Sequence, residues 1–93
     1  PYVADYGVPA WHLFVVRTAR RDELVKHLMK YGIETMIHYP VPPHRQAAYP
    51  ELGGQFLPLT EAIHHEVLSL PLSSCLAESS VEIVSQSVLE FFE

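Results

Sequence analysis

Cysteine, lysine and long apolar runs are what this chain has least of, and each shortage removes a class of protein. The one cysteine, Cys75, cannot close an internal disulfide, so the fold must rest on packing and the chain suits a reducing cytoplasm. With no reactive surroundings evident, Cys75 reads as a small half-buried residue rather than a nucleophile. No apolar run approaches the roughly 20 residues of a membrane span, and no charged-then-apolar segment opens the chain as a signal would. Basic charge is scarce too. Six Lys and Arg stand against eleven Asp and Glu, a net charge of -5 spread without blocks, which disfavours a nucleic-acid footprint. Only Lys26 and Lys30 are lysines.

Ninety-three residues opening at Pro1 instead of Met suggest one compact domain, residues 1–93, or a piece cut from a longer chain. At this size a domain buries only about 60 to 65% of its unfolded surface, so exposed apolar area meant for a partner is expected.

Residues 12–17 bring Leu13, Phe14, Val15 and Val16 together with little polar alternation, the pattern of a buried strand. From 19 to 31, Leu24, Val25, Leu28 and Met29 fall on one side and Asp22, Glu23, Lys26 and Lys30 mainly elsewhere, as in an amphipathic helix. Thr18 is placed to cap its start and Gly32 to end it in a left-handed turn. Residues 33–39 follow as a second strand. After Pro58 a helical spacing of Leu59, Ala62, Ile63 and Val67 runs toward Pro71, with a short strand at 68–72. The last helix, about 78–92, turns Val81, Val84, Val88 and Phe91 to one face, although Ala77 offers no capping side chain. The order predicts an α+β fold: a small, mainly antiparallel three-stranded sheet with helices packed on it.

The stretch 32–49 is the least like scaffolding, with two His, three Pro and two Tyr. Pro40, Pro42 and Pro43 fix their own backbone angles and extend the residues before them, which makes a stiff loop that presents His38, Tyr39, His44 and Arg45.

The strand Trp11-His12-Leu13-Phe14-Val15-Val16-Arg17, the helix start Arg20-Arg21-Asp22-Glu23-Leu24, the Gly32-Ile33 turn and the His38-Tyr39-Pro40 segment stand in order, followed by Leu68-Ser69-Leu70-Pro71-Leu72. As a set they resemble the C-terminal small domain of the DegT and StrS type of nucleotide-sugar aminotransferase, a pyridoxal-phosphate enzyme of fold type I. The resemblance implies a transfer of an amino group from an amino acid, such as glutamate, to a keto-sugar nucleotide in deoxyamino-sugar or surface-polysaccharide biosynthesis. It also implies a homodimeric full-length enzyme whose missing large domain binds pyridoxal phosphate. The wording His-Tyr-Pro-x-Pro-Pro-His-x-Gln looks more like members that aminate the sugar at C3 than at C4. His38 and Tyr39 would then approach the cleft as substrate ligands, and His44 and Arg45 could offer positive charge to the nucleotide diphosphate.

Lys26 and Lys30 both lie on the polar side of a helix, where nothing would desolvate an amine toward Schiff-base chemistry. Because the resemblance assigns the cofactor's ligands to the missing large domain, the fragment alone is expected to bind no cofactor and to catalyse nothing, and no Cys or carboxylate near His38 and His44 completes a metal set. His64-His65-Glu66 lacks the second ligand of a zinc helix, because position 69 is Ser, and reads as a polar helix face. Trp11 reads as a core or domain-interface residue. Two further functions stay open: a sugar dehydratase of the same family, and a standalone module that binds nucleotide sugars or dimerises.

Overall fold

A computed structural model describes Pro1–Glu93. Strand β1 (Phe14–Arg17) leads to helix α1 (Arg21–Lys30), then come the proline loop, helix α2 (Pro58–Glu66), strand β2 (Val67–Leu70) and helix α3 (Glu78–Phe92). The loop contains two single turns of 3-10 helix, Pro43–Arg45 and Pro50–Leu52, each opened by a proline whose missing N–H costs nothing there.

The sheet has two strands, not three. β1 and β2 run antiparallel, with Phe14 opposite Leu70 and Arg17 opposite Val67. The expected strand at 33–39 reduces to a single bridge, Met36 with Ser69, closed by two backbone hydrogen bonds of 3.2 and 2.8 Å. The physical reason lies in the flanks: residues 31–32 still turn out of α1, and Pro40 removes a donor just after the bridge, leaving no room for a ladder. β1 is half-buried, with Arg17 exposed, because one of its edges has no partner strand.

Leu24 and Leu28 of α1, Ile33 and Leu68 of β2 form the buried core, and Val84, Val88 and Phe91 of α3 pack against it. The helix residues among them are those that helical spacing assigned to the inner faces. Met29 and Val81, assigned with them, stand 70% and 48% exposed at the margins. Gly32 has φ 71°, a conformation that disfavours any residue with a Cβ. It lets its own N–H reach Met29 O and lets Ile33 N–H reach Leu28 O, a Schellman ending whose apolar pair, Leu28 and Ile33, is part of the core. Thr18 does not cap α1; its hydroxyl accepts from Arg20 N–H one residue too early, and Arg20 occupies the cap position. α3 starts after Ala77 with no side-chain cap.

Between α1 and α3 the seam is aromatic and polar. The His27 ring lies between Tyr31 and Phe91 and donates Nε2–H to the carbonyl of the buried Ser87 at 2.9 Å. Arg20 sets its guanidinium 4.2 Å over the Phe91 ring.

The core is thin. Only 8 of 93 residues are buried, and the radius of gyration of 15.6 Å exceeds the roughly 12 Å of a compact chain of this length. The first twelve residues form no helix or strand, and Tyr2, Tyr6 and Val8 stand 88 to 96% exposed. No helix is long and apolar enough to cross a membrane.

Candidate functional site

β2 carries a serine between two leucines; alternation along the strand turns Ser69 to the face opposite the core residue Leu68, yet it too is buried, so its hydroxyl must find a partner. It finds His38: Nδ1 and Ser69 Oγ share a hydrogen bond of 2.9 Å. The bridge at Met36 thereby continues one step into the loop and fixes the imidazole, leaving Nε2 for an outside partner. His38 and Ser69 both line a shallow cleft of about 690 Å³ between the 32–36 segment, the end of β2 and the first turns of α3. Tyr39 follows with its ring edge-on to that of His38 at 5.5 Å and 66% of its surface exposed.

The second half of the loop is tied to α2. His44 is buried, and its Nε2 meets Glu61 Oε1 at 2.9 Å. Arg45 donates Nη2–H to the same oxygen at 3.1 Å and Nη1–H to Gly53 O at 2.9 Å. The hydrogen bond from His44 and then that from Arg45 hold the Glu61 carboxyl at a pKa of about 2, against an ordinary 4.5. One turn further along α2, His64 donates Nδ1–H to the carbonyl of Tyr39, while Arg21 donates to the carbonyl of His64 at 3.2 Å. Both ends of the 39–45 stretch are thus fastened to one helix.

The four residues singled out in the sequence fall into two pairs. His38 and Tyr39 sit together, one lining the cleft and one exposed beside it. His44 and Arg45 sit apart from them, against α2: His44 is closed off from solvent against Glu61, and the half-exposed Arg45 pairs with the same carboxylate. Sequence reasoning missed Ser69, Glu61 and His64. The signals were a lone hydroxyl inside an apolar strand, and an acid and a histidine three apart on a helix. His64 is no idle polar face, and Trp11 packs edge-on to Phe14 at 5.2 Å with 42% of its surface exposed. Cys75 is exposed, not half-buried.

The imine bond of a pyridoxal phosphate group finds no suited lysine among these residues. Lys26 and Lys30 both stand exposed on α1, so no amine is desolvated for an imine bond. No group of three or more His, Cys, Asp or Glu is disposed to hold a metal ion.

Several known proteins share this sequence and shape. A transaminase of Aneurinibacillus thermoaerophilus named for dTDP-3-amino-3,6-dideoxy-alpha-D-galactopyranose is 44% identical over 88 residues, 95% of this chain and 24% of the relative. One of Streptomyces venezuelae named for dTDP-3-amino-3,4,6-trideoxy-alpha-D-glucose is 44% identical over 97 residues, covering all of this chain and 25% of the relative. The crystal structure of Streptomyces venezuelae DesV in complex with a ketimine intermediate superposes with a TM-score of 0.89 at 43% identity, over all of this chain and 26% of that one. The chain therefore spans about a quarter of the length of the relatives it matches. The model of the DegT/DnrJ/EryC1/StrS aminotransferase family matches residues 3–89, and with that length of match the chain belongs to this family.

Proposed function

We propose that residues 1–93 are the small domain of a pyridoxal-phosphate-dependent aminotransferase that moves an amino group from an amino acid, glutamate in our reading, onto C3 of a keto-sugar nucleotide. The product would enter deoxyamino-sugar or surface-polysaccharide biosynthesis. The cofactor, the Schiff-base lysine and the donor site would lie in a larger part of the polypeptide, and the full-length enzyme would work as a cytoplasmic homodimer. The relatives named above support amination at C3, since both carry a 3-amino sugar in their names, and both are transaminases, which favours this reaction over dehydration. The thin core and the exposed Tyr2, Tyr6 and Val8 favour a domain built to pack against something larger over a standalone module.

Within that enzyme these residues bind and orient. The observation that carries the reading is the pairing of a fixed imidazole with an exposed phenol: His38, held by Ser69 at the rim of the cleft, and Tyr39 beside it. An imidazole nitrogen and a phenol are suited to the hydroxyls of a sugar. His44 and Arg45 brace the loop. The test is Tyr39→Phe in the full-length enzyme, with the two half-reactions measured separately. The sugar-nucleotide half should weaken and the amino-acid half should not. Unchanged rates in both would remove Tyr39 from the site.

A further inference from the structure

Glu61 and His64 are one turn apart on α2 and grip opposite ends of the same short loop. Glu61 Oε1 takes His44 Nε2 at 2.9 Å, Arg45 Nη2–H at 3.1 Å and, more loosely, Leu57 N–H at 3.4 Å. His64 Nδ1–H reaches the carbonyl of Tyr39, and the carbonyl of His64 is held by the largely buried Arg21. Between these grips lie Pro40, Pro42 and Pro43, which leave few backbone torsions free. A stiff segment fastened at both ends has little freedom to move its first residue. That first residue is Tyr39, which stands largely exposed with its ring edge-on to that of His38.

We propose that Glu61 and His64 are positioning residues that clamp the 39–45 loop to α2 and so fix where Tyr39 meets the sugar nucleotide. This rests on the reading of Tyr39 as a substrate ligand. Neither side chain touches substrate; each acts through the loop. An aligned contact that drifts by about an ångström can cost as much as 100-fold, so the clamp should appear in the sugar half-reaction and leave the donor half alone.

The experiment uses the full-length enzyme carrying Glu61→Gln, Tyr39→Phe, and both together. Glu61→Gln keeps the size of the side chain and removes its charge. We expect it to raise the KM for the sugar nucleotide about tenfold with the donor half-reaction within about twofold of wild type, and to add less than about threefold once Tyr39 is already Phe, as coupled residues do. A residue that merely supports folding would lower both halves alike, and its effect would multiply with that of Tyr39→Phe. Either of those results overturns the proposal. If Tyr39→Phe impairs the sugar half while Glu61→Gln changes nothing, the clamp alone is wrong. If Tyr39→Phe is silent, the reading of Tyr39 fails and takes the clamp with it. Should Glu61→Gln not fold, Arg45→Ala removes a half-exposed member of the same clamp and is read against the same criteria.

Discussion

The carboxylate of Glu61 and the imidazole of His44 share a hydrogen bond of 2.9 Å, joining α2 to the proline loop across 17 residues of sequence. Arg45 completes the arrangement on the same oxygen. A buried histidine is thereby satisfied, and a loop of irregular backbone gains a fixed position without belonging to the sheet.

Acid should undo this arrangement. The Glu61 carboxyl titrates at about 2 when folded against an ordinary 4.5, so its contribution is fully present above about 4.5 and is lost as the pH falls toward 2. Thermal unfolding of wild type and Glu61→Gln at pH 6 and pH 3 checks this. Wild type should be the more stable of the two at pH 6, with the gap narrowing at pH 3. A gap that stays constant would mean that Glu61 carries no such linkage.

Ser69→Ala should separate structure from binding. Ser69 is buried and its hydroxyl is the partner of His38 Nδ1, so its loss should cost about 1 kcal/mol of stability, as a lost hydrogen bond does. The freed imidazole should also weaken the sugar half-reaction of the full-length enzyme. Denaturant melts and half-reaction rates check the two effects separately.

Much of the fold was legible in the sequence because its cause is local. The spacing of Leu24 and Leu28 places them on the inner face of α1, and both are fully buried. Gly32 stands at a left-handed ending, as a glycine after a helical run predicts. The third strand is another matter: Ile33, Met36 and Ile37 have the apolar character of a strand, but a strand needs a partner along its length, and the turn from α1 and Pro40 leave only one bridge. The site was legible in half. His38 and Tyr39 announced themselves by their place before a proline run, whereas the ties to Ser69, Glu61 and His64 cross 17 to 31 residues and depend on tertiary packing that no local pattern encodes.

The core gives a sharper energetic test. Leu24 is fully buried at the junction of α1 with Leu68 and α3, so Leu24→Ala should cost about 2 to 5 kcal/mol. Gly32→Ala meets no atom within 4 Å, so its cost is conformational alone, about 1 to 2 kcal/mol. In a core of four buried apolar residues the first loss should unfold the isolated chain at room temperature and the second should not, as circular dichroism would record.

One measurement decides whether these residues serve a sugar-nucleotide aminotransferase. The full-length enzyme, charged with its cofactor and aminated by glutamate, is mixed with a nucleotide-linked 3-keto sugar, and the product is identified by mass and NMR. A sugar bearing the new amino group at C3 is the expected result. A dehydrated sugar, or no turnover of the keto sugar by an enzyme that accepts glutamate, would contradict it.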